Sequence, residues 1–585
     1  MTSDSCPIPG GSSASQPPTV AELLVRGLRA LGVRHVFGVP GGPLLSLYEA
    51  VDREPGIRMV LARHEEGAGF MAEGTAQATG CPGVVCTTAG PGALHALTAA
   101  ASATSDGVPI LVITAQTGTS LAGRGSLQDS SGGNWSVDTV AAFRSATKLS
   151  ALVLHPDQTP RLLAHAMRTA RAGRPGAVHL SVPTDFLTKS VSTDTGSCIR
   201  TLERLRSASV TEPAQAAVRQ MADLLGEAGK GVVLAGQGAK IARATQPLTR
   251  LAERLGWPVA TTIKGKSVFP EDHPLSAGVF GFAGSPRAHE VVLDPAVDTL
   301  LVLGSALGEL STANWHPGLT AGRRVCRVDI DPLRMDAGFP ADIEVVGDAA
   351  ATLTAVLEVL GTGRPQHGRS PERPTWQPQP AEPHTGGSGL RASAVVASMS
   401  RLSPAGTQLF VDNGNCLSWL GQYYVSRPPG AVHVSLNVGS MGYSAGAAVG
   451  GSLAAAGRPV VALTGDAAYA MSGMETHTAS EEGLPVIWVV LNNGGNAMVQ
   501  NVQDGVFGHS HGAMYRTPMD AATIGRGLGA HGVTVRTLPR FEAELTSALS
   551  ATDGPTVIDV RVDASEVPWA LKGRIAALRD GTEAS

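Results

Sequence analysis

The 585-residue sequence is poor in cysteine and in charge, and it lacks a long apolar run. Its six cysteines are scattered without a CxxC pair, and the first residues lack a basic segment followed by an apolar stretch, so we expect a cytoplasmic protein. Charged residues make up 16% of the chain and the formal net charge is -4, which argues against nucleic acid or an anionic membrane as a partner. Apolar runs such as 485–492 are much shorter than the roughly 20 residues of a membrane helix.

Apolar residues, at 43%, are enough to fill several cores, and the length predicts three domains. Short apolar runs alternate with Ala-rich amphipathic stretches, which is the pattern of parallel strands joined by helices. We therefore predict an α/β fold of three doubly wound parallel-sheet domains, in which the first and third share one architecture. The predicted organisation is a disordered tail 1–18, a first domain 19–190, a linker 191–211, a middle domain 212–362, a Pro-rich linker 363–389, a third domain 390–565 and a C-terminal tail 566–585.

Two polar segments follow apolar strands in the third predicted domain. Asp466 comes directly after VVALTG, and Asn493 lies 27 residues further on, after VIWVVLN. Open parallel sheets bind ligands at the carboxyl ends of their strands, so these side chains are candidates for one site. Both offer hard oxygen donors, which suit Mg²⁺, and phosphate oxygens would complete its coordination. The alternative is that both segments are ordinary turns, with Asp466 capping the next helix.

The ordered set of motifs resembles the acetohydroxyacid (acetolactate) synthase branch of thiamine-diphosphate-dependent enzymes, over residues 19 to about 564. The resemblance implies a pyrimidine-binding domain, a middle nucleotide-fold domain and a diphosphate-binding domain, in that order. It also implies active sites between subunits, and hence a homodimer or a homotetramer. The matching segments are GVPGG at 38–42, RHEEGA at 63–68, TAGPGALHALTAAASATSDGVPILVIT at 88–114, LQD at 127–129 and GDAAYAMSGMETHTASEEGLPVIWVVLNNGG at 465–495.

The resemblance implies thiamine diphosphate and Mg²⁺ as cofactors. It assigns Asp466, the Asn493 side chain and the Gly495 carbonyl as Mg²⁺ ligands, in a motif that includes Gly465 and Ala467.

In the first domain, the resemblance implies that Glu65 hydrogen-bonds the pyrimidine ring and so activates the cofactor. Taken without the resemblance, Glu65 is a surface or first-turn helix acid, as its neighbour Glu66 is still expected to be.

Further residues are assigned to the cofactor by the same resemblance. Met441 would be an apolar wedge that bends the cofactor, with the Gly439 carbonyl orienting its amino group. Gly414, Asn415 and Cys416 would contact the diphosphate at a helix start. The alternatives are an ordinary core methionine at 441 and a buried structural cysteine at 416.

The substrate pocket is expected near Gln128, which matches a glutamine that faces the thiazolium ring, and near the loop of Gly41 and Gly42. The alternative for Gln128 is an exposed loop residue. His509 and His511 fall in a segment that matches a mobile lid; their spacing suggests a metal only weakly, so we expect a flexible loop.

Two positions depart from the family pattern. Leu307 stands where an arginine contacts FAD and the oxo acid, which argues against FAD binding. Val502 stands where a tryptophan favours a larger oxo-acid acceptor. Together these positions predict an apolar chamber and an acceptor other than a second small 2-oxo acid.

The predicted function is decarboxylation of a 2-oxo acid, with pyruvate as the expected donor, and transfer of the acyl fragment to an acceptor. A simple 2-oxo acid decarboxylase is the nearest alternative. It is disfavoured because pyruvate decarboxylase relatives are expected to carry an adjacent His-His pair in the first domain, and 116–135, the region that should contain it, has none. A cofactor-binding regulator without catalysis is a further alternative, which the retention of Glu65, Asp466 and Asn493 disfavours.

Overall fold

The computed structural model describes residues 17–207, 210–335, 338–361, 389–427, 432–455 and 457–579. The predicted disordered tail 1–18 and Pro-rich linker 363–389 therefore lie almost entirely outside the described residues. Within the described ranges, no helix is both long and apolar enough to cross a membrane.

Eighteen strands form three six-stranded sheets in the described chain, and every strand pair is parallel. This confirms the predicted α/β fold of three parallel-sheet units. The first sheet contains β1 (His35–Val39), β2 (Arg58–Leu61), β3 (Gly83–Thr87), β4 (Ile110–Gln116), β5 (Leu149–Leu152) and β6 (Val178–Pro183). The middle sheet contains β7 (Gly231–Ala235), β8 (Val259–Thr261), β9 (Ser276–Val279), β10 (Thr299–Leu303), β11 (Arg324–Asp329) and β12 (Ile343–Val346). The third contains β13 (Gln408–Val411), β14 (Val432–Val434), β15 (Val460–Gly465), β16 (Val486–Asn492), β17 (His531–Val535) and β18 (Thr556–Arg561).

Helices cover the sheets, and the central strands, such as β4 and β16, are buried along their whole length. The first unit has α1 (Val20–Leu31), α2 (Leu45–Arg53), α3 (Glu65–Thr79), α4 (Pro91–His95), α5 (Leu97–Ser105), α6 (Thr139–Arg144), α7 (Thr159–Arg171) and α8 (Thr195–Arg206). The middle unit has α9 (Gln215–Glu227), α10 (Gln237–Ile241), α11 (Thr245–Leu255), α12 (Pro286–Val292) and α13 (Ala349–Leu360). The third has α14 (Ala392–Leu402), α15 (Asn415–Tyr423), α16 (Tyr443–Ala454), α17 (Asp466–Ser472), α18 (Glu475–Glu481), α19 (Ala497–Phe507), α20 (Ala521–Gly527), α21 (Leu538–Ser550) and α22 (Trp569–Arg579).

The first and third sheets share one strand order. They run β2-β1-β3-β4-β6-β5 and β14-β13-β15-β16-β18-β17, which is the same sequence of relative positions. The middle sheet runs β12-β11-β10-β7-β8-β9, so its order reverses between β7 and β10, where such sheets form a ligand crevice.

Small residues bring α3 of the first unit against α16 of the third. A Cβ atom on Gly74 would lie 2.1 Å from the Ala447 carbonyl oxygen, and one on Gly450 would lie 1.9 Å from that of Met71. The two helix backbones are therefore in direct contact, as the Ala-rich and Gly-rich sequence of α3 allows.

Two segments differ from the predicted organisation. The stretch 191–211, expected to be a linker, contains α8, whose Cys198 and Leu202 are buried in the same core as Leu24 of α1. The stretch 566–585, expected to be a tail, contains α22, and its Ile575 packs against Gly505 of α19. In both stretches the apolar residues lie at helical spacing and pack against a neighbouring helix. The stretches are otherwise polar and charged, so their composition does not indicate this packing.

Candidate functional site

Asp466 and Asn493 lie at the same edge of the third sheet. Gly465 of β15 pairs with Leu491 of β16, so the two strands end side by side. The residues that follow each strand therefore lie at the same edge of the sheet. Gly465 precedes α17, and the buried Asp466 and Ala467 begin that helix. The structure thus brings together the two motif halves.

Asp466 is fully buried, and neither of its carboxylate oxygens accepts a hydrogen bond from any described residue. Burial raises its pKa to about 6, and the backbone N–H groups of Ala467, Asn493 and Gly494 oppose this rise without reaching hydrogen-bond geometry. An unpartnered buried carboxylate is unfavourable unless a cation binds it. The oxygen-rich edge therefore fits a hard divalent cation such as Mg²⁺.

The two asparagines after β16 have different surroundings. Asn492 turns back into the sheet, where its amide donates to Asp559 Oδ1 and to the Met519 carbonyl, both at 2.8 Å. Asn493 is half-buried, and its Oδ1 accepts the Gly495 N–H at 3.2 Å. A Cβ on Gly495 would lie 2.5 Å from the Ala513 carbonyl oxygen, so only glycine fits there.

The loop that carries Gly439 and Met441 is fixed by two residues that the sequence analysis did not single out. Asp412, at the end of β13, accepts hydrogen bonds from the Gly442 N–H at 2.8 Å and the Ser444 hydroxyl at 2.7 Å. The Asn413 amide donates to the Ser435 and Ser440 carbonyls, at 2.9 and 2.8 Å. Met441 is half-buried beside this framework rather than packed in a core. The position of Asp412 after an apolar strand is the same signal that identified Asp466.

The segment 414–416 begins α15, with Gly414 as its N-cap at φ +95°. The Asn415 amide donates one of its two N–H groups to Asn501 Oδ1 at 2.8 Å, whereas its own Oδ1 is buried without a hydrogen-bond partner among the described residues. Cys416 is buried in the core of the third unit, and burial raises the pKa of its thiol. These contacts favour the structural alternative for Cys416.

Glu65 lies at the corresponding edge of the first sheet, as the first residue of α3. Only 8% of it is exposed, and its Oε2 is 3.0 Å from Nδ1 of His95, the last residue of α4. The His95 ring stacks on that of His64, with centroids 4.5 Å apart. Sequence reasoning placed His95 inside a matched motif but gave it no role.

Gln128 and the Gly41–Gly42 loop converge on the same edge. Gln128 is half-buried with φ +57°, and its Oε1 accepts from the Thr88 hydroxyl at 3.3 Å. A Cβ on Gly41 would lie 2.5 Å from the same Thr88 hydroxyl, whereas Gly42 has open space. The structure therefore does not support the exposed-loop alternative for Gln128, whose backbone is fixed beside the turn at Gly90.

Among the described residues, no hydrogen bond or ion pair joins Glu65 to Asp466 or Asn493 in one chain. Glu475, at the start of α18, is one of the residues of the third unit that contact the first unit beside Glu65. Its carboxylate accepts the backbone N–H groups of Arg63 and His64, each at 3.1 Å, and burial raises its pKa to about 7. Glu475 holds the backbone immediately before Glu65.

Leu307, which stands in place of an arginine, contributes no apolar wall to a substrate chamber in the described chain. Leu307 is 1% exposed and packs with Phe280 and Leu319 in the core of the middle unit. Alignment to a position does not determine side-chain direction, and Leu307 has a backbone φ of +49°, in the left-handed region. Val502 is half-buried on α19.

A cavity of about 1960 Å³ lies between the three units, at the ends of β7, β10 and β11. Several of its cationic side chains already have partners. Lys264 pairs with Asp106 at 3.1 Å, Lys240 donates to the Val432 carbonyl at 2.7 Å, and Arg174 donates to the Thr104 carbonyl at 2.9 Å. Burial also lowers the pKa of Lys240 to about 7.

His509 and His511 are both exposed in the segment after α19. His509 Nδ1 lies 3.2 Å from the Phe507 carbonyl, and the His511 N–H donates to Gln503 at 2.9 Å. The two rings do not belong to any cluster of metal-ligating side chains among the described residues. The segment therefore remains a candidate lid rather than a metal site.

Comparison with known proteins agrees with this geometry. Family models of thiamine pyrophosphate enzymes match at 18–134 (N-terminal TPP binding domain), 218–356 (central domain) and 412–560 (C-terminal TPP binding domain). An acetolactate synthase of Mycobacterium bovis is 31% identical, covering 95% of this chain and 90% of that protein. A probable 2-ketoarginine decarboxylase of Pseudomonas aeruginosa is 32% identical, covering 93% and 94%. An X-ray structure of a Mycobacterium smegmatis protein, assigned as thiamin diphosphate-dependent, has a TM-score of 0.79 and 26% identity, covering 93% and 99%.

The three units and the matched domains define one class of protein: the chain belongs to the thiamine pyrophosphate enzyme family. Within that family it is an enzyme of the acetolactate synthase type, as its similarity to the M. bovis synthase shows.

Proposed function

We propose that the enzyme decarboxylates a 2-oxo acid, with pyruvate as the expected donor, and joins the acyl fragment to an acceptor, using thiamine diphosphate and Mg²⁺. The buried, unpartnered carboxylate of Asp466 is the observation that carries the cofactor assignment. The similarity to an acetolactate synthase supports the carbon–carbon bond formation.

In this proposal Asp466, the Asn493 side chain and the Gly495 carbonyl hold Mg²⁺. Asp412 keeps the loop of Gly439 and Met441 in place, because three of its hydrogen bonds, from Gly442 and Ser444, would be lost if that loop moved. Thiamine diphosphate, when bound, supplies a carbon nucleophile and an electron sink for the decarboxylation.

Glu65 would share a proton through its carboxyl group with the pyrimidine ring of bound thiamine diphosphate, and its low exposure would strengthen that hydrogen bond. Gln128 faces the donor from the same edge, held by Thr88.

We further propose a homodimer in which Glu65 of one protomer meets Asp466 and Asn493 of its partner. The absence of a contact between these residues within the described single chain supports this arrangement. Subunit complementation tests it. Homodimers of Glu65→Gln and of Asp466→Ala are each expected to be inactive.

After subunit exchange, half of the dimers are mixed, and each mixed dimer has one intact site, so about a quarter of wild-type activity returns. If both residues served one site within a chain, no mixture would recover activity.

A simple decarboxylase is a second candidate, supported by the similarity to a 2-ketoarginine decarboxylase. The sequence argument against it was the lack of a His-His pair in 116–135. The structure nevertheless places His64 and His95 beside Glu65, from two separate segments, so imidazole donors are present. The product of pyruvate turnover distinguishes the candidates: a decarboxylase releases acetaldehyde, whereas a carboligase releases a product with a new carbon–carbon bond.

A further inference from the structure

Asp106, the residue that follows α5, is a fully buried carboxylate at which all three units meet. Lys264 of the middle unit donates to its Oδ1 at 3.1 Å. From the third unit, the Ser435 hydroxyl and the Leu436 N–H donate to its Oδ2 at 2.8 and 3.0 Å, and the Asn437 N–H donates to Oδ1 at 3.4 Å. One side chain of the first unit therefore joins the middle unit to the third.

The acceptor capacity of this carboxylate is completely used. A carboxylate offers about four acceptor sites, and here one receives Lys264 and three receive the consecutive residues 435–437. An isolated buried carboxylate is unfavourable, and the ammonium group of Lys264 compensates the charge of Asp106. Asparagine at 106 would offer about two acceptor sites and would place an NH₂ group against other donors, so it cannot replace the carboxylate.

The segment that this carboxylate fixes leads into Gly439 and Met441. We call residues 435–442 the cofactor loop. The far end of the loop is held by Asp412, which accepts the Gly442 N–H at 2.8 Å. The two residues that are expected to meet the cofactor therefore lie between two buried carboxylates, one from the first unit and one from the third.

Two further contacts attach the start of the cofactor loop to α5. The hydroxyl oxygens of Ser102 and Ser435 are 2.7 Å apart. The Asn437 side-chain amide donates to the Ser105 carbonyl, at the end of α5. Several groups at one helix end thus bind the start of the loop, which fixes its direction as well as its position.

We propose that Asp106 is a positioning residue for the cofactor. By fixing 435–437, it holds the Gly439 carbonyl and Met441 where bound thiamine diphosphate would meet them. This inference rests on the proposed role of the cofactor loop. Among the described residues, no hydrogen bond or ion pair joins Asp106 to Asp466, so loss of this anchor should leave the diphosphate end of the site intact.

Hydrogen–deuterium exchange of backbone amides, measured by mass spectrometry on the cofactor-free protein, tests the anchor without depending on cofactor chemistry. In Asp106→Asn, peptides that cover the cofactor loop should exchange about tenfold faster than in wild type, the effect of about one lost charge-assisted hydrogen bond. Peptides from β15, which lies outside the loop, should exchange as in wild type. Unchanged exchange in the loop would overturn the proposal. An equal acceleration over the whole chain would also overturn it, because Asp106 would then act only on global stability.

Calorimetry separates the two ends of the cofactor. Asp106→Asn should raise the Kd of thiamine diphosphate with Mg²⁺ about tenfold, because the residues that meet its rings are no longer fixed. The Kd of inorganic diphosphate with Mg²⁺ should be unchanged. Equal weakening of both ligands, or of neither, would refute the positioning.

Exchange of the thiazolium C2 proton, at saturating thiamine diphosphate, should slow about tenfold in Asp106→Asn, because the Gly439 carbonyl is expected to orient the amino group of the cofactor. An unchanged rate would contradict the proposal. If wild type bound inorganic diphosphate but not thiamine diphosphate, the proposed function would fail, while the amide-exchange result for the cofactor loop would still stand.

Ser435→Ala is a milder second variant. It removes the hydroxyl that bonds Oδ2 of Asp106 and leaves the ion pair with Lys264 intact. Amide exchange in the cofactor loop and the Kd of thiamine diphosphate should both rise about threefold, the effect of one uncharged donor. If Asp106→Asn does not fold, this variant decides, and values equal to those of wild type would refute the proposal.

Glu271→Gln is the matched control. Glu271 is also a buried acid that pairs with a lysine, Lys266 at 2.7 Å, and accepts a backbone N–H of the third unit, that of Ser426 at 2.7 Å. The variant should lower the Tm, because it breaks a buried ion pair, but leave loop exchange and the Kd of thiamine diphosphate unchanged. If it accelerated loop exchange as much as Asp106→Asn, the specific role of Asp106 would be excluded.

Discussion

Replacing Asp466 by asparagine should stabilise the cofactor-free protein at high pH while abolishing its response to Mg²⁺ and thiamine diphosphate. The ordinary pKa of an aspartate, 3.8, applies to the unfolded chain, and burial raises it to about 6 in the fold. The difference corresponds to about 3 kcal/mol. As pH rises from about 4 to about 6, the unfolded chain loses its proton first, so the free energy of unfolding falls by that amount.

The asparagine amide does not titrate, so the free-energy cost of packing it is the same at both pH values. This cost therefore cancels when the two pH values are compared. Between pH 5 and pH 8 the free energy of unfolding of Asp466→Asn, relative to wild type, should increase by about 1.5 kcal/mol, the part of the titration that lies above pH 5. Thermal denaturation of both proteins, freed of metal and cofactor, measures it. A constant difference between the two pH values would refute the idea that Asp466 is a buried, unpaired carboxylate.

Adding Mg²⁺ and thiamine diphosphate should stabilise wild type but not the variant. At a ligand concentration 100 times its Kd, wild type gains about 2.7 kcal/mol, and the variant should gain none. Asp412→Asn is the matched control: Asp412 is also fully buried with a raised pKa, but its oxygens accept hydrogen bonds from Gly442 and Ser444. That variant should be destabilised at both pH values. Equal stabilisation of Asp466→Asn and wild type by the cofactors would contradict the metal assignment.

Three further predictions concern the cofactor, the donor and the middle unit. Glu65→Gln should bind thiamine diphosphate with nearly unchanged affinity in calorimetry but slow C2 proton exchange by at least about a hundredfold, because an amide cannot share a proton with the ring; unchanged exchange would mean that another residue activates the cofactor. Gln128→Ala should raise KM for the 2-oxo acid about tenfold, for one lost hydrogen bond, in steady-state assays; an unchanged KM would remove Gln128 from the donor site. The purified protein should show no stoichiometric flavin absorbance band, because leucine stands at 307 where the family resemblance implies an FAD-contacting arginine, and Lys240, Lys264 and Arg174 of the cavity already have partners; a stoichiometric band would contradict this.

The sequence predicts the three α/β units and the meeting of Asp466 with Asn493, because both depend on short-range patterns. Apolar strands of β15 and β16 place their last residues at one sheet edge whatever the details of packing. The contact of Glu65 with His95 could not be predicted in this way, since it joins two helix ends whose relative position depends on tertiary structure. Sequence order locates a residue on an element, but not its neighbours across the sheet.

Leu307 is a second example in which the position in the sequence does not determine the neighbours of the side chain. Its position in the chain matches a substrate contact of the family, yet its side chain packs into the core with Phe280. Leucine at 307 still removes a cation, but its side chain adds no wall to the chamber, so the preference for an acceptor other than a second small 2-oxo acid stays a prediction. The α8 segment was missed because its burial depends on α1, which lies more than a hundred residues earlier in the chain.

Product analysis with pyruvate tests the central claim, a cofactor-dependent carboligase, most directly. The enzyme, loaded with thiamine diphosphate and Mg²⁺, would be given pyruvate alone and then pyruvate with an aldehyde or a larger 2-oxo acid, and the products identified by mass spectrometry. The account predicts that CO₂ release is accompanied by a product with a new carbon–carbon bond, either acetolactate or a cross product, and that Asp466→Ala forms neither. Release of acetaldehyde in amounts equal to CO₂, with no joined product under any of these conditions, would contradict it.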